Sequence, residues 1–254
     1  MNLHYRVEGK GKAIVLIHGL FGSLDNLGLL ARSLKDSYKV ISVDLRNHGK
    51  SAHTDTFTYQ YMANDVLAVI DELNIEQFSV VGHSMGGKVA MALSEVATTR
   101  LDHLMILDMA PVHYHVHRHE NVFAGLREVA KHTVHKRSEA DVYLAKHVLE
   151  PGVRQFLLKS FAKDGDSYNW RFNVEGLIAN YATIMGWNDV LPFEGKTLFI
   201  KGQESEYILS EHREKIALQF PHAKAHMVAN TGHWLHAEKP ETVNRIILSF
   251  LQRP

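Results

Sequence analysis

The segment Phe78 to Val89, FSVVGHSMGGKV, runs from an apolar strand pattern through Gly82-His83-Ser84-Met85-Gly86 into an amphipathic helix pattern. A serine hydroxyl attacks only when a base takes its proton, and a sharp strand-to-helix turn lifts such a serine clear of a sheet to meet one. Glycines flank it because side chains there would collide with neighbouring elements. Ser84 is therefore the candidate nucleophile. The same turn puts the Met85 amide at a helix N-terminus, where unpaired N–H groups and the positive end of the dipole can hold an oxyanion. A second apolar run, IVLIHGLFG from Ile14 to Gly22, ends in a small loop whose Leu20 amide is the other candidate donor, with Phe21 as the neighbouring alternative. A third stretch, NTGHWLHAEKP from Asn230 to Pro240, supplies a histidine between the last strand and the last helix. His233 is the expected base, taking the serine proton and returning it to the leaving group. His236, close by, is expected to pack against or cap the final helix.

Other polar clusters are expected to do no chemistry. Gly82-x4-Gly87-Lys88 resembles a phosphate loop but is followed by Val89 where Ser or Thr should hold magnesium, and Gly49-Lys50-Ser51 has Asp44 where the first glycine belongs. His113, His115, His117 and His119 alternate, yet no carboxylate at ligand spacing completes a rigid metal set. Asp44, Arg46 and His48 are expected to stabilise a loop. Lys88, one turn past the nucleophile, is expected to be structural or solvent-facing.

Positioning these residues requires a scaffold, and the apolar pattern describes one. Short apolar runs at Ala13 to Ile17, Lys39 to Val43, Phe78 to Val81, Leu104 to Leu107, Thr197 to Ile200 and Ala225 to Val228 suit strands buried on both faces. Between them, residues 27–34, 59–73, 88–97, 210–220 and 241–251 carry apolar residues at helical spacing. Alternation of this kind predicts an α/β fold with a doubly wound, mostly parallel sheet. It lapses over residues 111–191, where only helices and loops are expected, so that stretch reads as a helical cap inserted between a first core part, 1–110, and a second, 192–254. Its aromatic residues, such as Phe123, Phe156, Phe161, Trp170, Phe172 and Trp187, are helix-packing core by default, with lining of a ligand tunnel between cap and core as the alternative reading. Lys plus Arg and Asp plus Glu number 28 each, so no global field favours nucleic acid or anionic membranes, and no cysteine is present to serve as a staple, thiolate ligand or nucleophile. A polar, charged beginning and the lack of a long apolar run make the cytoplasm the default, with no stable membrane insertion and no obligate protein partner expected.

HGLFGS, DLRNHGKS, GHSMGG and GHWLHAEKP, in this order and spacing, resemble the α/β-hydrolase superfamily across nearly the whole chain. More narrowly, SLDNLG, MAPVHYHVHRHE and FLLKSF are similar to the bacterial YbfF-type esterases, relatives of mitochondrial abhydrolase-domain lipid hydrolases. The resemblance implies ester and acyl-thioester hydrolysis, no cofactor and a small helical cap. It also implies an acid in a Gly-x-x-Asp turn after the cap, but FIKGQESEYI places Ser205 there, and serine carries no charge. Asp108, closing the preceding strand in LMILDMAP, lies where neighbouring parallel strand tips converge, and the YbfF-type resemblance supports it; Glu204 or Glu206 is the alternative. Ser205 would then donate to the Asp108 carboxylate and fix its orientation. The expected reaction is acyl transfer from a small-molecule ester or acyl thioester to Ser84, then to water. Scattered cap cations such as Arg118, Arg127, Lys159 and Arg171 could meet coenzyme A phosphates. Carbon–carbon bond hydrolysis and a non-catalytic ligand-binding role on the same scaffold stay open, while an aspartate-nucleophile reaction is excluded by Ser84.

Overall fold

The computed structural model describes residues 1–252. In chain order the first half forms β1 (Tyr5–Glu8), β2 (Lys12–Ile17), α1 (Gly28–Leu34), β3 (Tyr38–Val43), α2 (Tyr59–Glu72), β4 (Phe78–His83), α3 (Met85–Val96) and β5 (Leu101–Leu107). A segment follows with α4 (Glu120–Ala130), α5 (Arg137–Leu144), α6 (Pro151–Lys159), β6 (Phe161–Asp164), β7 (Ser167–Trp170), α7 (Val174–Ala179) and α8 (Tyr181–Met185). The chain then closes with β8 (Lys196–Gly202), α9 (Arg213–Gln219), β9 (Lys224–Val228), α10 (Leu235–Glu238) and α11 (Pro240–Leu251).

Seven strands form one sheet in the order β1-β3-β2-β4-β5-β8-β9, parallel throughout except for β1 against β3. The period-2 alternation of strand side chains sorts the core into two layers. Ile14, Leu16, Val81, Met105 and Leu107 pack with α1 and α11 on one face, whereas Val15, Ile17, Val80, Leu104 and Ile106 pack with α2 and α3 on the other. From β2 the chain crosses to β3 on one side, and from β4 to β5 on the opposite side. The crevice between the carboxyl ends of β2 and β4 is therefore the topological switch point, the place where open α/β sheets bind ligands.

Three features depart from the sequence expectation. β1 is an additional antiparallel edge strand whose residues are only half-buried or exposed, so it carries no apolar run to announce it. β9 is the opposite edge, with Lys224 to Met227 exposed rather than buried on both faces. Within 111–191, β6 and β7 form an antiparallel hairpin about a two-residue turn in which Gly165 takes φ 59°. Its four-residue strands are flanked by helix-like sequence, and the Gly165-Asp166 turn pair is the local signal for them. The helices of this segment do not form a separate core: Leu126, Leu144, Leu157 and Phe172 belong to the same apolar cluster as Met62 and Val89 of α2 and α3. Among the described residues, no helix is long and apolar enough to cross a membrane.

Candidate active site

At the switch point, Ser84 joins β4 directly to α3 with φ 54° and ψ −122°, a backbone conformation that costs on the order of 1–3 kcal/mol in a non-glycine residue. The surroundings enforce it. A Cβ on Gly86 would lie 2.4 Å from the carbonyl oxygens of Ile17 and His18, and one on Gly82 would lie 2.1 Å from the Gly86 oxygen. α3 thus begins at Met85, three residues earlier than its apolar periodicity suggests, and its N-terminus points into the crevice. Ser84 Oγ is 2.9 Å from His233 Nε2, and His233 Nδ1 is 2.7 Å from Asp108 Oδ2. With Nδ1–H donating to the carboxylate, Nε2 is free to accept from the hydroxyl.

Asp108 follows β5 in the left-handed region, φ 52°, and is fully buried. Its backbone N–H donates to the Ile200 carbonyl at 2.8 Å. Its carboxylate accepts from the Gly202 amide at 3.0 Å and from Ser205 Oγ, so Asp108 Oδ2 is shared between Ser205 and His233. A buried carboxylate without such donors would be costly; here each oxygen has a partner. The other acidic candidates point elsewhere: Glu206 pairs with Arg118 at 2.8 Å, and Glu204 is exposed. Tyr207 lies flat on His233, with ring centroids 3.9 Å apart.

The loop after β2 carries the second amide pair. The Phe21 N–H donates to His48 Nε2 at 3.2 Å, and His48 Nδ1–H donates to the Arg46 carbonyl at 2.9 Å. Burial pushes His48 down to about 3, which keeps its ring neutral and able to accept. His18 is likewise pushed down by burial, accepting from the Leu45 amide and donating to the Gly19 carbonyl. The Leu20 and Met85 amides have no hydrogen-bond partner among the described residues. Of the two donors considered for this loop, Phe21 is therefore occupied and Leu20 is available. Asp44 and Arg46 hold the same region, Asp44 by accepting from the Leu24 and Lys50 amides and Arg46 by pairing with buried Asp65 at 2.7 Å.

A cavity of about 310 Å³ opens on Ser84 and His233. Val122, Val153, Phe156, Leu157 and Trp234 give it an apolar wall, and Arg118, His119, Asn121 and Glu150 give it a polar one. Phe123, Phe161 and Phe172, by contrast, are buried in the cluster shared with the core, Phe123 and Phe172 against the ring of Phe21. The alternating histidines fall into two pairs: His113 stacks on His115, whereas His117, 3.6 Å from Glu120, and His119, which meets the Tyr181 hydroxyl at 2.7 Å, both pack edge-on against Tyr181. His236 is buried against His83, its ring 4.3 Å away.

Lys88 is not solvent-facing. It is 1% exposed, and its Nζ donates to the carbonyls of Met185 at 3.0 Å and Gly186 at 2.7 Å, beside the faces of Tyr114 and Tyr59. Burial pushes its ammonium down to about 7.

Residues 14–246 match the Alpha/beta hydrolase family. Esterase YbfF of Escherichia coli K12 is 46% identical over 238 residues, covering 94% of this chain and 92% of its own. The sn-1-specific diacylglycerol lipase ABHD11 of Danio rerio is 35% identical, covering 99% of this chain and 83% of its own. Among solved structures, a marine microorganism esterase superposes with a TM-score of 0.93 at 32% identity, over 98% of this chain and 99% of that one. Motif order, sheet topology and these relatives agree, and the chain belongs to the alpha/beta hydrolase family.

Proposed function

We propose that this protein is a serine esterase that cleaves small-molecule carboxylic esters, acyl thioesters included, through an acyl-enzyme on Ser84. The observation that carries the reading is the unbroken relay from Ser84 Oγ to His233 to buried Asp108, at 2.9 and 2.7 Å. His233 Nε2 takes the hydroxyl proton as Oγ bonds to the acyl carbon, and the carbonyl π-pair moves onto oxygen, where the Leu20 and Met85 amides receive it. Collapse breaks the bond to the alkoxide or thiolate, which takes the proton from the imidazolium. A water molecule then repeats the sequence, with His233 again as base, and releases the acid. Asp108 holds the Nδ1–H tautomer and stabilises the transient cation without itself taking a proton. No step needs a metal or organic cofactor.

Residues 111–191 act in this reading as a cap, with α4 and α6 lending the apolar wall to the acyl chain and the Arg118 side receiving the leaving group. A cavity of about 310 Å³ is at the small end for ligand pockets, which favours short and medium acyl chains. Two cap cations considered for coenzyme A phosphates, Arg118 and Arg127, are already paired with Glu206 and Glu175, which favours simple esters over polyanionic thioesters. The compartment we assign is the cytoplasm, the default for a chain in which no apolar run approaches membrane-spanning length.

Hydrolysis of p-nitrophenyl esters from acetate to palmitate tests this. Ser84→Ala and His233→Ala should lose about 10⁴-fold or more in kcat, and Asp108→Asn about 10³–10⁴-fold. A Glu204→Gln/Glu206→Gln double variant should stay within about 3-fold, and the chain-length profile should fall toward palmitate. Full activity in Ser84→Ala, or no turnover by folded wild type, overturns the proposal.

A further inference from the structure

His83, the last residue of β4, has no part in the proton relay described above, yet it touches the base at a second point. It is buried, and its Nε2 lies 2.9 Å from the backbone carbonyl oxygen of His233. A carbonyl only accepts, so the proton is on His83 Nε2. Its ring centroid is 4.8 Å from that of His233, while His236 closes its other side at 4.3 Å. Adjacent residues of one chain segment therefore grip a single histidine: Ser84 meets the imidazole of His233, and His83 meets its carbonyl.

We infer that His83 is a positioning residue, whose Nε2–H clamps the backbone of His233 to the strand end that carries the nucleophile and so registers the base against Ser84. The inference rests on the esterase reading and deepens it. The rest of the loop needs such a clamp. The loop's amide ties before His233 are at Asn230, Thr231 and Gly232, where the Asn230 amide meets Gln203 Oε1, the Glu204 amide meets the Thr231 carbonyl, and the Gly232 amide meets Glu238. These lie before His233, and two of the three are exposed, while on its other side the Trp234 carbonyl accepts from the Ala237 and Glu238 amides; among the described residues, His83 supplies the bond to the backbone of His233 itself. The Ser84 contact is broken and remade as the proton moves to His233 and on to the leaving group, and the Asp108 bond and the Tyr207 ring hold the imidazole but not the backbone of His233. The His83 bond does not change during the cycle. Burial, with His236 and His233 as the nearest like groups, holds the His83 pKa well below the ordinary 6.5, so the clamp does not set a second cation against the imidazolium. A misplacement of about 1 Å at the reacting atoms can cost about 10²-fold in rate, so the loss of a clamp falls on turnover rather than on binding.

The test uses the full-length enzyme with p-nitrophenyl butyrate, comparing wild type, Ser84→Ala, His83→Leu, His83→Asn and His83→Gln, with thermal midpoints as the control for folding. Glutamine puts an N–H donor at the reach of Nε2, whereas asparagine stops short and leucine has none. The expected result is a kcat lower by about 10- to 100-fold in His83→Leu and His83→Asn, KM within about 3-fold of wild type, and recovery to within about 5-fold in His83→Gln. Should leucine prevent folding, the asparagine and glutamine pair makes the same comparison between polar side chains. Wild-type kcat in His83→Asn, equal impairment in His83→Gln, or a loss confined to KM overturns the inference; with wild type active and Ser84→Ala dead, the esterase reading survives each of these. Wild type without turnover overturns both.

Discussion

Two serines serve the proposed mechanism in different ways: Ser84 would carry the acyl group, while Ser205 donates to the carboxylate of Asp108. Ser84, His233 and the two donor loops are legible because strained turns require glycines, and glycines at fixed offsets survive as a written pattern. The acid is less legible: Ser205 stands where the superfamily's aspartate is expected, Glu204 and Glu206 flank it, and Asp108 is favoured by the convergence of neighbouring strand tips together with the YbfF-type resemblance. The structure gives Ser205 a bond to Asp108 Oδ2, the oxygen that also serves His233. Ser205→Ala should therefore lower kcat about 10- to 100-fold, the effect of removing one hydrogen bond to a charged group, while Ser205→Thr should retain most activity. An unchanged kcat in Ser205→Ala would mean that the Gly202 amide alone orients the carboxylate. His83 went unread because a polar residue before a nucleophile looks like any other strand end, and its partner is a backbone carbonyl, which leaves no trace in sequence.

At the level of elements, the strands that were legible are those with continuous apolar runs, β2 to β5, β8 and β9. Of the two edges, β9 is legible as a strand from its apolar run, though its residues are exposed rather than buried on both faces, and β1 carries no such run. Lys88 shows a third kind of blindness. Its helix was expected, but its partners are carbonyls of the chain at the end of α8, nearly a hundred residues on. Tyr59 and Tyr114 take hold of the same stretch, through the Ile184 and Met185 carbonyls, so α2, α3 and the chain after β5 meet at one buried knot. The pKa of Lys88 is about 7 in the fold against an ordinary 10.5, so between these values the unfolded chain holds more protons at this site and stability rises with pH. Lys88→Met should abolish that rise: urea unfolding at pH 7 and pH 9.5 should show wild type gaining stability relative to the variant at the higher pH. The variant should also lose about 1–3 kcal/mol at pH 7 through the unpartnered Gly186 carbonyl. A constant difference between the two proteins across this range would contradict the proposed burial of the charge.

Across the whole molecule, equal numbers of acidic and basic residues leave diffusion and shape, rather than a long-range field, to bring substrate to the site. The fold class was the most legible property of the chain, because alternation of strand and helix patterns constrains topology far more tightly than it constrains any contact. What alternation does not reveal is how the inserted helices sit, since their packing depends on shape rather than on period. They share a single apolar cluster with α2 and α3, and Ser160 Oγ donates from the end of α6 to the Phe21 carbonyl in the loop beside the nucleophile. Swinging these helices away as a rigid door would hydrate that shared cluster, at about 25 cal/mol for every Å² of apolar surface uncovered. Nothing at an oil–water boundary is required to hold the site open, because a cavity already reaches Ser84. The rate against tributyrin should therefore climb smoothly as substrate passes from dissolved molecules to emulsion droplets, whereas a jump at the solubility limit would reveal a door after all.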